Sequence, residues 1–236
     1  MPSDSLPAAE TKSQRMRNFT RLSIQRAFWV LSAILLAIVF ALCVPVTRIR
    51  ILRSTGQLLV VQNPSIKSAD VIVLSIDSDG AGTLGAADLV HGGVSNRVAV
   101  FHDPPTSVDR EFLRRGLPYE DRGATSTRQL ELLGIQNIER IPRSTSGSEQ
   151  EAEILPDWCD KHGYHSVVVI TSTDHSRRLA RILRRSMKNP QTSLTIFASP
   201  YSEFDVDTWW TDRGGIRTGI TELEKLLLDF VRHPFS

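Results

Sequence analysis

Hydrophobic residues are grouped along this chain into short apolar runs that alternate with amphipathic stretches. Continuous, β-branched runs of strand length are typical of strands buried on both faces of a sheet. Such runs occupy 70–76, 97–102, 167–170 and 194–198, and a further strand is predicted over 137–141. Apolar residues at helical spacing, typical of helices that bury one face, occupy 179–187 and 223–231, and further helices are predicted over 108–115, 125–133 and 148–162. This alternation predicts an α/β fold with a mostly parallel sheet covered by helices on both faces.

The glycine-rich segment after the first run is predicted to be a flexible turn. It begins with Asp77 and Asp79 and continues to Gly85. Residues 80–85 also fit the loose G-x-G-x-x-G pattern of dinucleotide-binding turns, with Asp103 as the acidic residue after the second strand. Because the two preceding aspartates would repel a pyrophosphate, nucleotide binding is the weaker interpretation.

A longer apolar pattern lies near the N-terminus. Residues 27–46 carry no charge, and about 20 such residues are enough to cross a bilayer as a helix. The rival interpretation, a cleaved signal peptide, fits less well because such cores usually span about 7–15 residues and end in small residues, whereas Leu42 is bulky. We therefore predict a retained, single-pass transmembrane signal anchor.

This anchor divides the chain into four predicted parts. A basic tail (1–26) precedes the anchor, and the α/β domain occupies 69–236. Between the anchor and the domain lies a juxtamembrane connector (47–68), part of which packs on the domain or forms an extra strand. More basic residues lie before the span than closely after it, which favours a cytoplasmic tail. The predicted location is the inner (plasma) membrane, with the domain on the extracytoplasmic side.

Composition narrows the range of possible binding partners. A net charge of +2 over 236 residues argues against nucleic acid, which usually requires a strong basic excess. Cys43 falls within the predicted span, so Cys159 is the single thiol of the predicted domain and has no disulfide partner there.

The stretch 167–187 predicts a strand, a polar turn and a helix at the ligand-binding edge of the sheet. Free N–H groups at a helix start favour an anion, and arginines close by strengthen this preference. We predict that Thr171, Ser172 and Arg178 bind an anionic small molecule. Because histidine as a residue type titrates near neutral pH, His175 is predicted to act as an acid or base.

Further candidates lie at the same predicted edge. Glu151, in the first turn of the helix 148–162, is predicted to be a catalytic carboxylate together with His175. Asp77 and Gly80, which follow the first strand, are predicted to contact the ligand. Turn formation accounts for the neighbouring aspartates, so no metal site is assigned.

Three sequence blocks, taken in order and spacing, resemble the YdcF-like family of SanA/ElyC-type membrane-anchored proteins. Residues 168–178 are similar to its strand followed by Thr-Ser, His and Arg, and residues 145–152 to its Thr/Ser-then-Glu-Ala helix start. The third block, 209–226, has the Trp, Arg, Glu and Lys of the C-terminal signature. The family's glycine turns after the first two strands are replaced here by 75–80 and 101–105, which implies a different ligand or none.

The resemblance implies a Rossmann-like three-layer sandwich with a mostly parallel sheet, preceded by one N-terminal transmembrane helix. It also implies a role in bacterial cell-envelope, peptidoglycan-related biogenesis or integrity, and a phosphorylated precursor would suit the predicted anion site. One alternative is a non-catalytic membrane scaffold that binds an envelope protein. A weaker alternative is a nucleotide or S-adenosylmethionine binder. The cofactor, and whether a reaction is catalysed at all, stay open at this point.

Overall fold

The computed structural model describes residues 26, 28–34, 36–37, 43–63, 65–187 and 192–234. The chain divides into two compact units, Met1–Leu52 and Arg53–Ser236. Most of the predicted tail and part of the predicted span 27–46 lie outside the described residues. Within the described ranges, no helix is both long enough and apolar enough to cross a membrane.

Five parallel strands form the sheet of the second unit. They are β1 (Val71–Leu74), β2 (Val98–His102), β3 (Ile138–Ser144), β4 (Ser166–Thr171) and β5 (Ser193–Ala198), in the spatial order β3-β2-β1-β4-β5. The central strand β1 pairs with β2 through Ile72 and Val98, and with β4 through Ile72 and Val168. Each apolar run predicted as a strand is confirmed.

The helices with bounds in the structure are α1 (Pro45–Gln57), α2 (Asp79–His91), α3 (Ser107–Arg114), α4 (Arg122–Leu132), α5 (Ser148–His162), α6 (Ser176–Ser186) and α7 (Arg213–Arg232), with a 3₁₀ turn at Ile76–Ser78. Helices α5 and α6 pack on one face of the sheet, and α2 and α4 pack on the other. One apolar layer joins Val169 of β4 to Leu155 of α5 and Leu179 of α6. The other joins Ile170 to Leu130 of α4. The second unit therefore has an α/β, Rossmann-like fold.

The glycine-rich segment is not the flexible turn that its sequence predicts, because it forms the helix α2. A Cβ on Gly85 would lie 2.5 Å from Ile170 Cδ1, and one on Gly82 would lie 2.1 Å from Ser78 Oγ. Gly85 lets the helix approach the sheet, and Gly82 lets it approach the 3₁₀ turn, more closely than a residue with a Cβ would allow. Close packing thus outweighs the low helix propensity of glycine, about 1 kcal/mol per residue.

The segment between α1 and β1 packs on the α/β unit, as predicted for part of the connector. Leu59 is buried. The Asn63 side chain donates to the Ala198 carbonyl at 2.8 Å and accepts from the Ala198 N–H at 2.7 Å, which ties this segment to the end of β5.

Candidate functional site

The candidate site lies at the carboxyl ends of β1 and β4, where the strand order reverses. The chain passes from β1 to β2 on one side of the sheet and reaches β4 on the other side only after β3. In open α/β sheets, ligands bind in the crevice at such a reversal. Asp77 lies in the turn after β1, and Ser172 lies in the turn after β4.

A cavity of about 560 Å³ opens at this edge, and we call it the acidic cavity. Among the described residues, those that line it include no lysine or arginine. Its carboxylates come from Asp77, Asp79, Asp174, Glu203 and Asp212. Burial raises the pKa of Asp174. The cavity therefore favours a ligand that donates hydrogen bonds or carries positive charge.

The predicted site residues divide into two groups around this cavity. Asp77, Gly80 and Ser172 belong to its lining. The other four lie outside that lining and are buried or nearly so: Glu151, Thr171, His175 and Arg178. Asp77 connects the two groups, since its carboxylate is 39% exposed and its Oδ2 lies 3.6 Å from His175 Nε2.

His175 is 2% exposed and is held on both ring nitrogens. Nε2 lies 2.9 Å from Ser148 Oγ, whereas Nδ1 lies 2.8 Å from Arg178 Nη2 and 3.2 Å from Glu222 Oε2. A guanidinium only donates, so the shorter Arg178 contact requires Nδ1 to accept. Assigned from this network, the neutral imidazole carries its proton on Nε2 and directs it toward Ser148 and Asp77.

Glu222 anchors the network from the C-terminal helix α7. Its carboxylate accepts from Arg178 Nε at 2.9 Å and from Lys225 Nζ at 2.6 Å. Burial alone would raise the pKa of Glu222, but its contact with His175 and its bonds with the cations Arg178 and Lys225 outweigh burial and hold that pKa well below its ordinary value. Arg178 is thus part of a buried ion pair within the protein.

The start of α6, which the sequence predicts as an anion site, is occupied by the segment after α1. The Arg177 N–H donates to the Leu59 carbonyl at 3.0 Å, and Ser176 Oγ accepts from the Val61 N–H at 2.9 Å. The Arg177 guanidinium donates to the Val60 carbonyl at 2.7 Å. An anion would compete with these contacts, and its binding at 167–187 stays a prediction.

Glu151 is fully buried in the first turn of α5. Its carboxylate accepts from the Ile76 N–H and from Ser75 Oγ, the latter at 3.0 and 3.1 Å. Burial raises the pKa of Glu151 to about 7, although the Ile76 N–H and the nearby His175 act in the opposite direction. Glu151 thereby fixes the turn that carries Asp77.

Thr171, at the end of β4, is fully buried. Its Oγ1 has no hydrogen-bond partner within the described part of the chain. Because side chains alternate along a strand, Thr171 shares the face of Val169, on the side of α5 and α6. The hydroxyl therefore faces the helix layer that holds Glu151 and His175.

A cluster at the mouth of the cavity is held together by Arg122, which sequence reasoning missed. Arg122 Nη1 lies 3.9 Å from Asp77 Oδ1 and 3.8 Å from Asp79 Oδ1, and Nε lies 3.7 Å from Asp103 Oδ2. Asp103 also accepts from the Arg122 N–H at 2.7 Å. Across the described ranges, no group of three or more His, Cys, Asp or Glu residues is arranged to hold a metal ion.

Ser148 was also missed as a site residue. A serine at a helix start is ordinary, and its position beside His175 arises only because α5 and α6 pack side by side. Glu222 had a sequence signal, because it belongs to the C-terminal block of the family resemblance.

No protein-family model matches this chain, and the search of curated proteins also gave no match. The resemblance to the YdcF-like family therefore rests on the three sequence blocks alone.

Proposed function

We propose that this chain is a membrane-anchored protein of the bacterial cell envelope that binds a small envelope component in the acidic cavity. The contact between Asp77 Oδ2 and His175 Nε2 carries the proposal, since it links an exposed cavity carboxylate to a buried, oriented imidazole. The uncharged run 27–46 and the YdcF-like blocks support the anchor and the envelope role. The domain would then face the extracytoplasmic side.

The cavity lining favours the chemistry of a sugar or an amine. Carboxylates accept hydrogen bonds from hydroxyl and amino groups, and several together repel a phosphate. A phosphorylated precursor, the ligand predicted from sequence, would fit with its hydroxyl groups toward Asp77 and Asp174 and its phosphate outside this cavity.

In this proposal, Asp77 is the group that touches the ligand, and the His175 Nε2–H, directed toward Asp77 Oδ2, orients that carboxylate from behind. The Asp77 carboxylate accepts a hydrogen bond, or a proton, from a hydroxyl or amino group of the ligand. General acid–base transfer of this kind typically contributes 10²–10⁴-fold to a rate. Glu151 and Arg178 act as positioning residues that hold the turn and the imidazole.

The proposal is tested by titrating the full chain in detergent with N-acetylglucosamine and with its 1-phosphate. We expect Asp77→Asn to weaken the binding of both sugars by about tenfold, because it removes a charged hydrogen-bond acceptor. Asp157→Asn is the matched control, since Asp157 is exposed on α5 and does not line the cavity. Equal affinities in the Asp77 variant and the wild type would refute the proposed site.

A second candidate is a nucleotide or S-adenosylmethionine binder, which the position of the glycine pattern favours. Residues 80–85 open α2 directly after β1, and Gly80 and Ala81 line the cavity. Against it, Ser78 Oγ already lies where a ligand would approach Gly82. Titration with S-adenosylmethionine and ATP separates the two, and a non-catalytic scaffold would bind none of these probes.

A further inference from the structure

A second cavity, of about 320 Å³, lies between the start of α5 and the helices α6 and α7, and we call it the basic groove. Four of the residues that line it are basic: Arg178, Lys225, Arg232 and His233. Two are acidic: Glu149 and Asp229. The groove thus has the opposite charge character to the acidic cavity.

The acidic residues do little to neutralise this groove. The Asp229 carboxylate is already paired with Arg181 Nε at 2.7 Å and with Arg185 Nη2 at 2.8 Å. Glu149 lies at the rim, where its side chain is largely exposed. Lys225 Nζ donates to Glu222 at 2.6 Å, but Arg178 shares the same carboxylate, so these three residues together keep a net positive charge. The exposed cations of the groove are therefore Lys225 and Arg232.

An exposed apolar stripe runs along the same helix, α7. Ile216, Ile220, Leu227 and Val231 recur at helical spacing, and they are between 39% and 71% exposed. Leu228, a further exposed apolar residue, lines the basic groove itself. Contiguous exposed apolar surface of this kind marks a site of interaction with another molecule or a membrane.

Cations surround this stripe. The exposed charged residues of α7 are Arg213, Arg217, Glu224, Lys225 and Arg232, so positive charges outnumber the single exposed carboxylate, because Glu222 and Asp229 are buried. A second copy of this helix would bring like charges together. An anionic lipid surface complements both the charges and the apolar side chains, as it does for amphipathic helices that lie in a membrane interface.

We infer that the basic groove and the apolar stripe of α7 form a docking surface for an anionic bilayer, with lipid phosphates at Lys225 and Arg232. The inference rests on the proposed membrane anchor. Only residues 47–52 lie between the predicted span and the first residue of the α/β unit. Six residues reach about 20 Å at most, so a tethered unit stays near the bilayer surface.

The experiment places the full chain in nanodiscs of phosphatidylcholine, with or without about 30% phosphatidylglycerol, and follows hydrogen exchange in α7. We expect exchange over 213–232 to be about fivefold slower with the anionic lipid, since buried interfacial surface protects the helix. Lys225→Gln with Arg232→Gln, and separately Leu227→Gln with Val231→Gln, should abolish that difference. The matched control is Lys161→Gln with Arg143→Gln, which removes two exposed cations outside the groove.

Three results would overturn the inference. The first is an equal rate of exchange over 213–232 in both kinds of nanodisc. The second is protection of α7 that depends on the number of chains per nanodisc and not on lipid charge. The third is protection of α7 in neutral nanodiscs when inorganic phosphate is added. If the run 27–46 does not anchor the chain in a bilayer, the result is different, because the chain would then be absent from the nanodisc fraction with either lipid. If the acidic cavity does not bind the sugars through Asp77, that result would appear only in the sugar titrations.

Discussion

Single residues in this protein combine burial with unusual protonation, and Glu151 is the clearest case. It is fully buried, its partners are an N–H and a hydroxyl, and none of the ion pairs of the described residues includes it. Its proton equilibrium is therefore tied to the folded state, and the stability of the domain should depend on pH near neutrality.

The first prediction concerns this dependence. The pKa of Glu151 is raised from 4.5 to about 7 in the folded state. Stability is thus fully present below about pH 4.5 and is lost as the pH rises through 7, by an amount on the order of 3 kcal/mol. Glu151→Gln should flatten this loss in urea unfolding measured between pH 4.5 and 8. Glu153→Gln, an exposed change on the same helix, should keep the wild-type slope.

The second prediction concerns the ion pair of Arg178 and Glu222. Arg178→Met leaves a buried carboxylate with fewer partners and should lower the free energy of unfolding by about 3 kcal/mol. Arg184→Met, on the exposed side of the same helix, should change it by about 0.5 kcal/mol or less. Adding Glu222→Gln to Arg178→Met should recover part of the loss. No recovery in chemical denaturation would argue against an uncompensated charge as the cause.

At the scale of elements, glycines set the distances between helices and their neighbours. Trp209 is buried between the end of α1 and the start of α7. A Cβ on Gly56 would lie 2.9 Å from Trp209 Cδ1, and one on Gly219 would lie 2.6 Å from Trp209 Cε3. The indole therefore requires small residues on both helices.

The third prediction uses one substitution at two places in α7. Gly219→Ala should lower the free energy of unfolding by about 1–3 kcal/mol, because the added methyl group overlaps the Trp209 ring. Gly214→Ala meets only the flexible Asp212 carboxylate, so the gain in helix propensity should leave it neutral or more stable by up to about 1 kcal/mol. Thermal unfolding of both variants measures the two changes in stability. A similar loss of stability in both variants would contradict this account.

Elements also show what the sequence could and could not predict. Apolar runs identified four of the five strands, because a buried parallel strand needs little more than continuous apolar character. Strand β3, at the edge of the sheet, is more polar, although the sequence predicted a strand there too. Helix α2 was missed, since its glycines are explained only by the side chains of Ser78 and Ile170 beside them. Local pattern carries no information about such contacts.

The sequence also predicted only part of the candidate site. Sequence reasoning identified His175 and Glu151 but not their partners, because Ser148 and Glu222 meet His175 only through the packing of α5, α6 and α7. The acidic lining of the cavity was hidden for the same reason, since Asp174 follows β4 whereas Glu203 and Asp212 lie in the connection from β5 to α7.

At the scale of the whole molecule, two cavities of opposite charge lie on the two sides of one buried network. The acidic cavity reaches that network through Asp77, and the basic groove reaches it through Arg178 and Lys225. In our proposals the first binds an envelope component and the second rests on lipid phosphates. His175 and Glu222 belong to the network that joins the residues lining the two cavities.

A double-mutant cycle in the binding of N-acetylglucosamine tests the central claim most directly. It compares Asp77→Asn, His175→Gln and the combined variant with the wild-type full chain. If Asp77 and His175 act as one unit, the combined variant should bind about as weakly as Asp77→Asn alone, which is strong non-additivity. Two losses that simply add would contradict the account, because Asp77 and His175 would then act independently.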